Sequence, residues 1–250
     1  MRALRDTTDL ESLERHLPQL LQLVGQLLHS DSFKVTLNAL EVYGLLAERL
    51  QLRLSPALRQ VVDALVTQLG SGRLVVRTEC YRSCRRLMRQ LGAEPVVTLL
   101  RGHLKHPDAS VREHVLNVII YALLTFPASA FNVARLAEHV APTLTDEKRR
   151  VRQAALECVA LLAQLAAPAG SGQLAELWQR LEKDGHAGLR AAVSVRLQRK
   201  QLPRLTEDGL VEYSLQLPSP NGRHSSLQRL PSGASCLRPP IATRLRRGQG

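Results

Sequence analysis

Apolar and polar residues along this chain follow the period of an α-helix, and one stripe recurs in five segments. The segments align on a branched apolar residue near each predicted helix start, and these residues are 35 to 41 positions apart: Val35, Val76, Val111, Val151 and Leu189. In the first four segments, small or apolar residues mostly follow four, seven, eight and eleven positions later. Because this spacing places them on one helical face, it predicts four long helices in the same register.

The fifth segment departs from this stripe. Arg196 and Lys200 stand at two of the positions that are mostly apolar or small in the other segments. A terminal repeat needs a polar outer face, so the sequence predicts that this helix closes the array.

A shorter apolar segment precedes each of these helices, and the predicted pairs have first helices at 18–29, 55–69, 93–105, 133–144 and 171–183. Prolines stand near the first turns of three of them, where their missing N–H is tolerated: Pro18, Pro56 and Pro95. A helix–turn–helix unit of about 40 residues matches the length of HEAT and armadillo repeats. The sequence therefore predicts an all-α fold, a short α-solenoid of about five HEAT-like helix pairs.

The composition changes after the fifth predicted pair. Residues 1–17 are interpreted as the remnant of a first repeat, 18–200 as the repeat domain and 201–217 as a strap against the last repeat. Proline, serine, glycine and arginine dominate 218–250, so we expect a disordered basic tail there.

A net charge of +12 and a pI near 10.4 favour an acidic partner. The sequence shows neither a secretion signal nor an apolar run long enough for a membrane span, so a reduced cytoplasmic protein without membrane insertion is expected. The sequence does not favour nucleic acid as a partner, because the predicted turns lack a series of aromatic residues for base stacking.

Candidate chemistry is sparse. Cys80 and Cys84 suggest a metal site, but they occupy core positions of the helical stripe. His103 and His106 straddle a helix end without a cysteine pair at zinc-finger spacing, and the turn at 70–73 lacks the ending of a phosphate-binding loop. The sequence predicts no enzyme, no cofactor, no metal and no small-molecule substrate.

The turns inside the predicted pairs carry more information. Turns of one type line up along one edge of a solenoid, and four successive turns carry cations here. Two apolar residues, Phe33 and Leu74, occupy comparable places, each two positions before its anchor, which favours a protein partner. Arginine also recurs directly after four anchors, at Arg77, Arg112, Arg152 and Arg190. The alternative there is a structural ladder in which these arginines pair with acids or carbonyls of neighbouring repeats.

Several motifs resemble those of TOG domains, which are HEAT solenoids with a basic edge of turns. The segments 31–35, 103–113 and 146–155 look like successive tubulin-facing turns. More specifically, 148–157 and 202–213 resemble the TOG array regulators of axonemal microtubules, also called crescerins. The resemblance covers about residues 18 to 220.

This resemblance implies binding of αβ-tubulin or microtubules and a role in cilium assembly and axoneme length, in the cytoplasm and cytoskeleton. The matching positions are Phe33, Lys34, Arg73, Leu74, Lys105, Lys148, Arg149 and Arg150, with Arg112 as a secondary candidate. A TOG domain normally has six repeats and often a tryptophan in its first turn. Here the only tryptophan, Trp178, is predicted to pack in the last repeat.

Other functions stay open on the sequence alone. A generic HEAT scaffold would bind its partner through the concave surface instead of the turns. Nucleic-acid binding would show a steep dependence on salt.

Overall fold

The computed structural model describes residues 9–166, 179, 189–198 and 202–213. Its helices are α1 (Leu10–Arg15), α2 (Leu17–Leu27), α3 (Phe33–Leu50), α4 (Leu58–Leu69), α5 (Leu74–Leu91), α6 (Ala93–Leu100), α7 (Ala109–Thr125), α8 (Val133–Val140), α9 (Arg149–Ala166) and α10 (Leu189–Gln198). Short 3-10 helices span Gln51–Ala57, Arg101–Lys105, Ala128–Ala130 and Ala141–Thr145. Two short strands follow, β1 (Arg204–Leu205) and β2 (Val211–Glu212).

The helices form stacked antiparallel pairs, as the sequence predicts. A shorter first helix (α2, α4, α6 or α8) precedes each long second helix (α3, α5, α7 or α9). Among the second helices, α3 packs on α5 and α7 packs on α9, while α4 packs on α2, α6 and α7. The predicted first helix at 171–183 lies outside the described residues, apart from Gln179.

The predicted apolar stripe forms the core between the two layers. Tyr43, Cys80, Val115 and Ala155 occupy the predicted stripe in four successive second helices, and each is at most 2% exposed. Cys84 is also buried, so the packing role predicted for both cysteines is confirmed. One continuous hydrophobic cluster runs from Leu17 through the helix pairs to α10.

The polar outer face predicted for the fifth segment is wrong at Arg196. This side chain is 4% exposed and donates to both carboxylate oxygens of Glu157 on α9, at 2.7 and 2.6 Å. A buried guanidinium is tolerated here because a carboxylate of matching geometry neutralises it. Lys200 lies outside the described residues.

The strap folds as a small antiparallel hairpin in which Arg204 faces Glu212. Its turn includes Gly209, whose φ of +73° favours glycine. The Tyr213 hydroxyl donates to Asn117 on α7, and Asp208 lies 3.9 Å from Arg82 on α5. These contacts place the strap against the second and third complete pairs. Most of the last repeat, against which the sequence predicts the strap, lies outside the described residues. The predicted tail at 218–250 lies outside the described residues.

Candidate functional site

The four turns between first and second helices adjoin one another at one edge of the stack. Contacts join successive turns: Arg73 reaches Phe33, and Arg112 reaches Asp146. A methyl group built on Gly70 would lie only 2.7 Å from Asp108 Oδ2, so the second and third turns also touch. We define the turn edge as residues 31–35, 71–76, 105–110 and 145–150.

Aspartate side chains stabilise the third and fourth of these turns. Asp108 accepts a hydrogen bond from the Ser110 N–H, and Asp146 accepts one from the Lys148 N–H, each at 2.8 Å. Asp108 is therefore the N-cap of α7. Asp146 lies three residues before α9, so it stabilises the turn itself and is not the helix cap.

The recurring arginine one turn into each second helix clamps its own turn. Arg77 donates to the Ser71 carbonyl at 2.6 Å, and Arg112 donates to the carbonyls of His106 and Pro107. Arg152 repeats the pattern on the fourth turn, with the carbonyls of Asp146 and Glu147 at 2.7 and 2.9 Å. All three arginines therefore have a structural role, but the predicted pairing with neighbouring repeats is wrong for these bonds, because the carbonyls belong to each arginine's own repeat. The side chain of Arg190 lies outside the described residues.

Arg112 makes a further contact that links two repeats. Its Nε and Nη2 donate to the two carboxylate oxygens of Asp146 at 2.7 and 3.0 Å. These hydrogen bonds lower the pKa of Asp146 and raise that of Arg112. The side chains of Asp146 and Arg112 are only 9% and 15% exposed, so Arg112 is paired within the domain and is not a free surface cation.

Apolar side chains are exposed at the first two turns. The Arg73 guanidinium carbon lies 5.0 Å from the centroid of the Phe33 ring, which is a cation–π contact between two predicted site residues. Leu74 is 57% exposed in the first turn of α5. Val75, 54% exposed beside it, is absent from the sequence-predicted set. The repeat pattern could have found it, since Val75 directly precedes the anchor Val76.

The cations of the turn edge are exposed. Lys34 stands in the first turn of α3 and Lys105 precedes α7, while Lys148 and Arg149–Arg150 form a consecutive exposed group at the start of α9. Exposed acids are interleaved with them at Asp31, Asp108 and Glu147. Most of the predicted residues therefore face solvent on one edge, and the edge combines a basic majority with specific acidic positions.

A polar cluster lies behind the turns in the third pair. The Nδ1 atom of His114 lies 3.0 Å from the Tyr81 hydroxyl. Burial, followed by the nearby positive charges of Arg77 and Arg150, lowers the pKa of His114 to about 4. Burial also raises the pKa of neighbouring Glu113, against the effect of the same two arginines. Arg150 thus acts electrostatically on both of these groups.

Reactive chemistry is not assembled at this edge. Burial raises the pKa of the Cys84 thiol to about 12, so it is protonated at neutral pH. His103 lies 2.9 Å from Asp63 instead of joining other histidines. Within the described ranges, no group of three or more His, Cys, Asp or Glu residues could hold a metal ion.

The fold defines a class, a HEAT-type α-solenoid whose successive turns form an ordered row along one edge. Of the helices in the described part of the chain, none combines the length and apolarity that crossing a membrane demands. No family-level sequence profile matches the chain.

Similar proteins refine this class. The chain is 41% identical over 210 residues, 82% of its length, to the human TOG array regulator of axonemal microtubules protein 1. A solved structure described as "Crescerin uses a TOG domain array to regulate microtubules in the primary cilium" is 38% identical, with a TM-score of 0.78 and coverage of 87% of this chain and 89% of that one. The chain belongs to the TOG domains of the crescerin family, a family of non-enzymatic regulators of ciliary microtubules. The predicted family, fold class and absence of enzymatic activity are thereby confirmed.

More distant likeness concerns the fold alone. A structure described as "TOG-tubulin binding specificity promotes microtubule dynamics and mitotic spindle formation" is 18% identical, with a TM-score of 0.61 over 79% of this chain and 74% of that one. The chain spans 12% of the length of the human relative.

Proposed function

We propose that this domain binds αβ-tubulin through its turn edge. The observation that carries the proposal is the row of four adjoining turns, on which exposed cations and apolar side chains share one edge of the solenoid. The functional unit is the repeat domain at 18–200 with the strap at 201–217.

The charge of the edge suits an acidic protein surface such as that of tubulin. Lys148, Arg149 and Arg150 are consecutive, exposed and placed at the start of α9. Complementary charge accelerates encounter and fixes orientation more than it raises affinity, and salt screens the effect. Family membership supports the same partner, since the human relative is named for axonemal microtubules.

The first two turns supply the apolar part of the contact. Leu74 and Val75 are each more than half exposed, and Phe33 lies under the Arg73 guanidinium. A compact group of aromatic, arginine and aliphatic side chains is typical of the energetic centre of a protein interface. We therefore assign affinity mainly to the first two turns and orientation mainly to the fourth.

The arginine clamps explain how short turns can serve as a rigid recognition surface. Because Arg77, Arg112 and Arg152 hold turn carbonyls from within, little backbone freedom has to be lost on binding. The mechanism is non-covalent recognition of one tubulin conformation, without bond chemistry. The proposed location follows the family: the cytoplasm and cytoskeleton, in the cilium and its axoneme.

The testing experiment reverses charge on the fourth turn. The variant carries Lys148→Glu, Arg149→Glu and Arg150→Glu, and binding is measured by size exclusion with αβ-tubulin and by co-sedimentation with microtubules. We expect at least a roughly tenfold loss of affinity at about 50 mM salt and a smaller difference at about 200 mM.

A matched control changes the net charge equally at the opposite edge. Arg59 and Arg135 begin first helices and Arg89 ends a second helix, and all three are exposed. Their joint reversal to Glu should leave most of the affinity intact, and circular dichroism should report equal helicity for both variants. An equal loss of affinity in the two variants would show that net charge alone causes the effect. Unaltered binding by the fourth-turn variant would contradict the proposed edge.

A further inference from the structure

A cleft of about 330 Å³ adjoins the third and fourth turns, where two successive repeats meet. One wall is the 3-10 helix Arg101–Lys105, and the other is formed by the end of α8 and the start of the 3-10 helix Ala141–Thr145. The first of these 3-10 helices packs on α8. The volume is sufficient for a small ligand or for one side chain of a partner.

Arg101 contributes a positive charge to this cleft. The residue is only 9% exposed, yet its side chain makes no hydrogen bond or ion pair with any of the described residues. Its guanidinium nitrogens are not sealed from solvent, so the stem is covered while the charged end opens into the cleft. Two other largely covered arginines, Arg112 and Arg196, each hold a carboxylate. By that comparison, Arg101 lacks an acidic group, which a ligand would supply.

The remaining side chains of the cleft set its charge. Arg101 and the exposed Lys105 contribute two positive charges and Glu138 contributes one negative charge, so one net positive charge remains if His139 is counted as neutral. The His139 ring is held in place because its Nδ1 donates to the Arg135 carbonyl at 2.7 Å. A single carboxylate matches this balance better than a phosphate group, which carries nearly two negative charges at neutral pH.

The cleft is continuous with the proposed interface. Lys105 belongs both to the cleft and to the turn edge, and it is the one member of the sequence-predicted set that lines the cleft. Pro142 lies in the 3-10 helix that leads into the fourth turn, where Lys148 and Arg149–Arg150 follow. A protein bound on the third and fourth turns therefore passes the mouth of the cleft and can insert a side chain there.

We infer that this cleft receives a glutamate side chain of the αβ-tubulin bound on the turn edge, an inference that rests on the proposed function. The carboxylate would accept two parallel hydrogen bonds from Arg101, and Lys105 would add its charge at the mouth. Glutamate is the longer of the two acidic side chains, so it reaches further toward a recessed guanidinium. Its methylene groups would lie against the exposed Pro142.

The first test compares a charged probe with a neutral one of the same shape, N-acetyl-glutamic acid α-amide and N-acetyl-glutamine amide. Binding to the full chain is followed by NMR through the backbone amide signals of Gly102 and Lys105. We expect the glutamate probe to bind about tenfold more tightly, because its carboxylate gains charge-assisted hydrogen bonds. Arg101→Met, which keeps an unbranched stem, should remove this preference. Equal binding of the two probes to the unmodified chain would overturn the inference.

Two further measurements locate the probe and identify its binding group. Gly102→Leu keeps every charge and fills the mouth, since Gly102 lines the cleft and nothing lies within 4 Å of a methyl group built there. This leucine should exclude the glutamate probe, and unchanged binding would place the probe outside the cleft and overturn the inference. Inorganic phosphate should bind the unmodified chain more weakly than the glutamate probe. Tighter binding of phosphate would overturn the assignment to a carboxylate.

The second test uses αβ-tubulin. Arg101→Met should lower the affinity for tubulin about fivefold, measured as for the fourth-turn variant. Arg89→Met is the matched control, because it removes one exposed positive charge at the opposite edge and should leave the affinity unaltered. Circular dichroism should report equal helicity for both variants.

The outcomes separate this inference from the proposed function. A loss of affinity in the fourth-turn variant without a loss in Arg101→Met would overturn the inference and leave the proposed function standing. Undiminished binding by the fourth-turn variant would contradict the proposed function, and with it the assignment of the inserted side chain to tubulin. The probe experiments use no tubulin, so they decide independently whether the cleft binds a carboxylate.

Discussion

At the residue scale, arginines a few positions apart have opposite roles. Arg149, Arg150 and Arg152 are all exposed, but Arg152 donates to the carbonyls of its own turn, whereas the other two make no such hydrogen bond within the described residues. The difference follows from the position of each side chain around the helix axis. Arg152 comes directly after the buried anchor Val151, whereas Arg149 and Arg150 precede it. A single substitution can therefore distinguish a structural arginine from a surface one.

Replacing Arg112 should cost stability. Arg112→Met leaves the nearly buried Asp146 carboxylate without its bidentate partner and frees two turn carbonyls, so we expect a loss of about 2 kcal/mol in the free energy of unfolding. Urea denaturation followed by circular dichroism measures it. Arg149→Met is the control, with an expected change within about 0.5 kcal/mol.

The pair of Arg112 and Asp146 also predicts the direction in which stability changes with pH. Arg112 lowers the pKa of Asp146, so the stability from the pair is present above the unfolded pKa near 3.9 and is lost as the pH falls through the lower folded value. The difference in stability between the unmodified chain and Arg112→Met should therefore become smaller in strong acid, leaving the part that comes from the two turn carbonyls. A constant separation down to about pH 2 would contradict this assignment.

His114 should make the domain sensitive to mild acid. Its pKa falls from 6.5 in a free side chain to about 4 in the fold, so the unfolded state binds more protons between these values. Stability should decrease by up to about 3 kcal/mol as the pH falls from 6.5 to 4. The stability of the His114→Gln variant, measured by urea titration, should decrease less over the same pH range. Parallel stability curves for the two proteins would refute the prediction.

At the scale of elements, the strap connects parts of the chain that are distant in sequence. Tyr213 donates to Asn117 on α7, and the Gly209 turn lies against Arg85 on α5. The sequence indicates an ordered segment at 202–213, but it does not reveal the docking position. That position depends on side chains such as Asn117, a polar residue within an otherwise apolar helix face.

Removing the Tyr213 hydroxyl group should weaken the attachment of the strap to α7. Tyr213→Phe leaves Asn117 Oδ1 without its donor, and we expect a loss of about 1 kcal/mol and faster hydrogen exchange in β1 and β2. Glu212→Gln, on the exposed side of β2, serves as the control with little expected change. Equal exchange in both variants would show that the hydrogen bond does not hold the strap.

At the scale of the whole molecule, repetition made most of the fold predictable. The register of Val76, Val111 and Val151 predicts the helix pairs because each repeat buries the same stripe. Pairing between repeats is less predictable: Arg196 stands at a stripe position and is buried because Glu157, 39 residues earlier, meets it.

The candidate edge was predictable in outline for the same reason. Sequence spacing identifies the turns, and it identifies cations on all four of them. It sets Arg112 apart only as a secondary candidate, because the bond of Arg112 to Asp146 depends on contact with a neighbouring repeat. Nor does it show that Arg73 covers Phe33.

Hydrogen exchange of the domain with and without αβ-tubulin tests the central claim most directly. The account predicts slower exchange on binding at the turn edge, at 31–35, 71–76 and 145–150, and unchanged exchange at the opposite edge near Arg59, Arg89 and Arg135. Protection confined to the opposite edge, or no protection at a tubulin concentration that saturates binding, would contradict it.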